Sequence, residues 1–196
     1  MLNEKVILTD ADGVLLDWVY SFTQWMERHG YTQVDDGDQY YDIGERYDLT
    51  FVEKERLVRM FNESAWIRKL APYKDAIKYV KKLHEEHGYV FRCISSLSTD
   101  VYVGRLRTKN INELFGTTAF ESFVYLDTGA DKDEALLPYM DSGCVWIEDK
   151  PENALLGRKL GLDSVLVNHS FNKDHFVGDI PRCNNWKEIY EYVVGS

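Results

Sequence analysis

The chain has 196 residues, 44% of them hydrophobic and 14% aromatic, and a formal net charge of −10. That apolar content suffices for one packed core, with room for a small inserted segment, and excludes a disordered chain. The acidic balance without a basic stripe excludes polynucleotide wrapping, and no run approaches the ~20 consecutive apolar residues of a membrane span.

Val6-Ile7-Leu8-Thr9 reads as a buried strand whose carboxyl end carries Asp10, Asp12 and Gly13. Open α/β sheets bind ligands at such strand ends, and two carboxylates held close repel unless a proton or cation intervenes. The pair is a candidate for binding a hard ion such as Mg²⁺, although the same tetrapeptide also suits a surface turn. Over 14–30, Leu15, Val19, Phe22, Trp25 and Met26 follow helical spacing, closed by Gly30. Residues 31–48 are polar and tyrosine-rich and read as an irregular connection. Thr50 and Glu53 have capping-box form ahead of a helix to about Ser64, followed by a return linker over 66–72 and a helix over 75–87.

From Tyr89 the pattern alternates. Strands are predicted over 89–94, 122–126 and 144–147, with a last one over 164–167. Helices are predicted over 99–115, 132–139, 151–160 and 185–194. Such alternation with short links predicts an α/β fold with a doubly wound parallel sheet. Residues 1–16 and 75–196 are expected to form this core, with 17–74 as a helical cap. Cys93, Cys144 and Cys183 lack metal or disulfide spacing, and Cys93 and Cys144, in apolar strand-like runs, read as small buried side chains. The N-terminus enters the first strand directly, which predicts no signal peptide and a reducing, cytoplasmic location.

Further along, Ser95 and Ser96 end the second strand, where hydroxyls can donate to a phosphoryl oxygen or cap the next helix. Lys132 starts a helix, against the dipole preference for acids in the first turn. Glu148 and Asp149 end the fourth strand, with Asn153 one turn beyond. A helix dipole explains one of those acids but has less need of both.

In this order the features resemble the four motifs of the haloacid dehalogenase-like hydrolase superfamily. The matches are Asp10-x-Asp12-Gly13, the hydroxyl of Ser95, the helix-leading Lys132 and the pair Glu148-Asp149. The helical insertion, the stretch Glu63-Ser64-Ala65-Trp66 through Lys69-Leu70-Ala71-Pro72, and the Cys93-Ile94-Ser95-Ser96 end are similar to 5'(3')-deoxyribonucleotidases. Serine stands at 95 where threonine is common there.

The resemblance implies a Mg²⁺-dependent phosphomonoester hydrolase. Asp10 is then the nucleophile that forms an aspartyl-phosphate, and Asp12 acts first as acid and then as base. Mg²⁺ would be held by Asp10, the backbone carbonyl of Asp12 and Asp149, with Glu148 and Asn153 behind them or joined through water. Ser95 and Lys132 would bind phosphoryl oxygens, with Ser96 beside them. The acid at 12 favours phosphoryl transfer, since the dehalogenase branch lacks one there. Trp18, Tyr20, Trp25, Tyr40, Tyr41, Tyr47 and Trp66 give the cap an aromatic excess. Most read as packing, with Tyr40, Tyr41 and Trp66 kept as candidates for stacking on a base. Arg46 reads either as a contact to a substrate anion or as a surface residue. The expected partner is a small phosphorylated metabolite, first a nucleoside monophosphate, alternatively a sugar phosphate or phosphoglycolate-type acid. A non-catalytic or phospho-switch module is the distant alternative.

Overall fold

Strand β1 (Lys5–Thr9) buries Ile7 and Leu8 completely, as a strand covered on both faces must. In the computed structural model, which describes residues 5–195, β1 lies inside a six-stranded sheet. The others are β2 (Tyr89–Ser96), β3 (Phe120–Leu126), β4 (Val145–Glu148), β5 (Asp163–Val167) and β6 (Arg182–Cys183). Their order is β3-β2-β1-β4-β5-β6 and every pairing is parallel. The chain therefore winds one way from β1 to β3 and the other way from β4 to β6. The reversal falls between β1 and β4, where a crevice opens at the strands' carboxyl ends. Thr9 is paired with Cys93 on one side and Ile147 on the other, so the residues that follow emerge together.

Between β1 and β2 the chain forms α1 (Trp18–Arg28), α2 (Ile43–Tyr47), α3 (Phe51–Asn62) and α4 (Ala76–Glu85). After β2 come α5 (Val101–Phe115), α6 (Asp133–Leu136), α7 (Pro151–Lys159) and α8 (Trp186–Gly195). Apolar faces of α1 and α3 meet over a ring cluster. Phe22 stacks on Trp18 at 4.6 Å and meets Phe61 edge-on at 5.2 Å, with Trp25 and Tyr47 completing it. Three of the cap aromatics, Trp18, Trp25 and Tyr47, thus do packing work.

Several elements differ from the sequence reading. Residues 14–17 are not helical. Leu15 and Leu16 both donate their N–H to Ala11 O at 2.9 Å, which folds Val14, Leu15 and Leu16 inward together rather than along one helix face. The helix begins only after Asp17, whose carboxylate accepts from Tyr20 N at 3.0 Å. The connection over 31–48 is partly ordered into a 3-10 turn (Gly37–Gln39) and α2, which Asp42 caps. Helical structure over 132–139 is broken into α6 and a 3-10 turn (Leu137–Tyr139), where Pro138 removes a backbone donor. The strand over 164–167 is not the last, because β6 adds two residues beside it, too few to show alternation. Among the described residues no helix is long and apolar enough to cross a membrane, and all three cysteines are unbridged.

The capping box of α3 is present in both directions: Thr50 Oγ1 accepts from Glu53 N at 3.3 Å, and Glu53 Oε2 accepts from Thr50 N at 3.0 Å. Replacing Thr50 by Ala is expected to lower unfolding stability by about 1 kcal/mol. Urea titration reads this directly, and an unchanged midpoint would show that α3 is held by its packing alone.

Candidate active site

Asp10 follows β1 directly, and its N–H donates to Ile147 O of β4 at 3.0 Å. Its carboxylate meets Lys132, whose Nζ lies 2.8 Å from Asp10 Oδ2 and 2.7 Å from Glu148 Oε1. Lys132 is 2% exposed, so its position at a helix start has nothing to do with the dipole: the side chain is drawn inward between two acids. Glu148 is fully buried and all its lone pairs are engaged. Oε1 accepts from Lys132 and from Asn153 Nδ2 at 2.5 Å, and Oε2 accepts from the N–H groups of Asp149 and Lys150. Asn153 thus serves Glu148 within the site.

Asp149 approaches the backbone at Gly13. A Cβ on Gly13 would stand 1.9 Å from Asp149 Oδ2, and φ there is +77°, so both space and conformation require glycine. His169 Nε2 donates to Gly13 O at 2.7 Å, and burial holds its ring below the usual histidine range and so neutral. Asp12 lies beside the cluster, its Oδ1 in an ion pair with Nη1 of Arg107 on α5. The sequence reading missed Arg107. A signal existed, because Val103, Arg107 and Ile111 share one face at four-residue spacing and a charge there falls on the buried side.

The electrostatics follow from burial. It pushes the Asp10 carboxyl up to about 6 against the pull of Lys132. Burial, then the charges of Glu148 and Asp10, hold Asp149 well above the usual carboxylate range. Asp12 is raised by burial, with Arg107 offsetting part of the effect. Burial also opposes charge on Lys132, but Asp10 and Glu148 outweigh it and hold the ammonium on. Four carboxyl groups (Asp10, Asp12, Glu148, Asp149) face two cations (Lys132, Arg107), a formal excess of two acids that held protons relieve and a bound cation could relieve instead. Asp10, Glu148 and Asp149 each present a carboxylate oxygen within 4.8 Å of the others. A divalent hard cation fits that donor set and that charge deficit. Since Glu148 is already saturated, Asp10 and Asp149 are the residues that would hold it.

These carboxylates open into a cavity of about 570 Å³ lined also by Gly13, Trp18, Tyr41, Arg46, Ser96 and Phe171. Tyr41 lies against Phe171 at 4.9 Å, and Phe171 stacks on His169 at 5.0 Å. The Tyr41 hydroxyl is held protonated by burial and by Asp149, although half of the residue's surface is open. Ser170 Oγ donates to Asp38 O at 2.7 Å, joining the loop after β5 to the 37–47 segment. His169 and Phe171 were not foreseen, since the loop over 168–184 has no periodicity. Arg46 is buried in this wall, donating to Asp38 at 3.2 Å and Tyr40 O at 3.0 Å. Ser96 Oγ donates to Ala130 O at 2.8 Å. Ser95 is 1% exposed with its Oγ unpartnered among the described residues, and it is not part of the cavity lining. Trp66 is placed elsewhere. It packs on the core beneath the guanidinium of Arg28, 5.0 Å above its ring, and Tyr40 turns its carbonyl to Arg46.

No family model matches the chain. An uncharacterized 32.4 kDa protein in the Gp30-rIII intergenic region of Enterobacteria phage T4 is 28% identical over 137 residues, which are 67% of this chain and 48% of the phage protein. The chain thus spans about half the length of the curated relative it matches. Among solved structures, a haloacid dehalogenase-like family hydrolase from Streptococcus pneumoniae superimposes with a TM-score of 0.66 at 16% identity, covering 98% of this chain and 99% of that one. A predicted phosphatase from Clostridium acetobutylicum gives 0.66 at 14% identity, with the same coverage of 98% and 99%. The L-2-haloacid dehalogenase from Xanthobacter autotrophicus, with chloropropionic acid covalently bound, gives 0.63 at 13%, again covering 98% and 99%. The chain has the fold of haloacid dehalogenase-like hydrolases.

Proposed function

We propose that the chain is a Mg²⁺-dependent phosphomonoesterase of the haloacid dehalogenase-like superfamily, acting on a small phosphorylated metabolite, with nucleoside monophosphates as the leading substrates. The observation that carries this reading is the convergence of Asp10, Lys132 and Asp149 at the carboxyl ends of β1 and β4, with Asp12 alongside. Asp10 and Asp149 would hold the ion, with the Asp12 carbonyl, which accepts no hydrogen bond from the described residues, as a further ligand. When bound, Mg²⁺ supplies the positive charge that lets an anionic phosphate approach these carboxylates.

Asp10 attacks phosphorus and becomes an aspartyl-phosphate, which splits hydrolysis into two easier steps. Asp12 gives a proton to the departing oxygen and then takes one from the water that cleaves the intermediate. Lys132, fixed by Glu148, keeps its ammonium beside Asp10 to stabilise the phosphoryl oxygens. The Ser95 hydroxyl is unpartnered among the described residues but buried outside the cavity lining, so it reaches these oxygens only if the strand end shifts when substrate enters. An acid at 12 supports phosphoryl transfer over dehalogenation. The cavity volume lies within the range that encloses small ligands, and the Tyr41 and Phe171 rings offer faces for a base. Three unbridged cysteines accord with a cytoplasmic, reducing setting.

Phosphate release from a panel of nucleoside monophosphates and sugar phosphates tests this. Turnover of nucleotides that EDTA reduces by about 100-fold or more, and that Mg²⁺ restores, is the expected result. Turnover confined to sugar phosphates would replace the substrate while keeping the chemistry. No release from any member would remove the enzymatic reading.

A further inference from the structure

Arg107 is a charge on the inner face of α5, as fully buried as Ile111 one turn on. Burying a guanidinium is costly unless it is paired and its donors are satisfied. Here the satisfaction is partial. Nη1 contacts Asp12 Oδ1, whereas Nε and Nη2 are buried without a hydrogen-bond partner among the described residues. A guanidinium serving only to anchor a helix is better used as a two-pronged fork on a carboxylate or on carbonyls. The contact is one-pronged instead, and Asp12 Oδ2 takes no hydrogen bond from the described residues. The Asp12 side chain keeps 22% exposure and lines the cavity. One carboxylate oxygen is gripped from the core side, and the other is left for whatever enters.

We infer that Arg107 is a positioning residue for leaving-group protonation: by holding Oδ1 it fixes the Asp12 carboxyl with Oδ2 toward the departing oxygen. The inference rests on the phosphatase reading above. As Asp10 forms its bond to phosphorus, the bond to the leaving oxygen breaks and its electron pair leaves with that oxygen. The oxygen takes the proton carried on Asp12 Oδ2, the carboxyl oxygen that Arg107 leaves free. The carboxylate left behind is already paired with Arg107, so its new charge needs no rearrangement of water or protein. Without Arg107 the carboxyl rotates freely about two bonds, and a misplacement of about 1 Å is enough to lose much of its effect.

The test compares two substrates that differ in their need for the acid. Nitrophenolate leaves p-nitrophenyl phosphate unprotonated, whereas glycerol phosphate must have its alkoxide protonated. The parameter read is kcat/KM, which covers only the steps up to leaving-group departure and so excludes Asp12's later role as base. Arg107→Met is expected to lower kcat/KM about 100-fold on glycerol phosphate and less than about 5-fold on p-nitrophenyl phosphate. Arg107→Lys should recover about tenfold of the glycerol phosphate loss, since charge returns without the fork. In an Asp12→Asn background, Arg107→Met should cost nothing further on either ester. Equal losses on both esters, or losses that add to those of Asp12→Asn, would assign Arg107 to holding the fold and overturn the inference. If Arg107→Met does not fold by circular dichroism, the same split between esters is read from Arg107→Lys. If the wild type takes neither ester, a nucleoside monophosphate that it hydrolyses replaces glycerol phosphate, p-nitrophenyl phosphate is dropped, and the loss is read against Asp12→Asn alone. Release from no phosphate ester overturns the phosphatase reading, and the inference falls with it.

Discussion

Asp10→Asn is expected to lower phosphate release by about 10⁴-fold or more while leaving the protein folded. The amide keeps the shape of the carboxylate and can still accept from Lys132, which lies 2.8 Å from Asp10 Oδ2. It cannot form the acyl phosphate, so the first of the two chemical steps is lost. The fold should tolerate the change because the substitution removes a buried acid whose charged form burial and the neighbouring acids disfavour. Thermal unfolding of the metal-free variant should occur no lower than that of the wild type. Turnover within tenfold of the wild type would remove Asp10 as nucleophile. A collapsed fold would show that its carboxylate serves the core first.

Metal-free protein is expected to lose stability as pH rises from 4 to 7, by an amount on the order of 3 kcal/mol traceable to Asp10. Burial places its folded-state pKa at about 6 against 3.8 for the free side chain. In that window the folded state keeps a proton that the unfolded chain has released, so raising pH favours unfolding. The contribution is present below pH 4 and gone above pH 6. Asp149, also raised by burial, acts in the same direction. Glu148 acts oppositely, since Lys132 and three hydrogen bonds hold it low despite burial. Urea titrations of wild type and Asp10→Asn at several pH values isolate the effect, because only the wild type carries the slope from this group. Millimolar Mg²⁺ should restore more stability at pH 7 than at pH 5, where protons already occupy the site. Parallel curves for the two proteins would show that Asp10 is already neutralised by its protein neighbours.

The first five strands and the placement of acids at their ends were legible because both leave local signatures. Buried parallel strands read as apolar runs, and Asp10, Asp12, Glu148 and Asp149 stand immediately after two of them. What the acids do to one another was less legible. Lys132 and Glu148 lie 16 residues apart, and only the reversal of winding between β1 and β4 puts them 2.7 Å from each other. Glu148 and Asn153 were read as lying behind the metal ligands, and what that reading could not show is that Glu148 spends its oxygens on Lys132, Asn153 and two backbone N–H groups. Aromatic composition pointed to the helical segment but could not sort its members. Trp66 went to the core and Tyr41 to the cavity because burial depends on which face of an irregular connection turns inward. Phe171 and His169 come from a loop with no repeat to read. Arg107 was recoverable from helical spacing and was missed because a single charge on an apolar face draws less notice than a motif.

Part of the cavity wall comes from two stretches of chain that carry none of the carboxylate cluster, beside residues of α1 and α3. Tyr41 and Arg46 come from the 37–47 connection and Phe171 from the loop after β5, linked by the Ser170–Asp38 hydrogen bond and the Tyr41–Phe171 contact. The loop after β5 is also tied to the cluster itself, His169 donating to Gly13 O and Asn172 Nδ2 to Asp149 O, each at 2.7 Å, so any substitution that reshapes this wall is felt at the ends of β1 and β4.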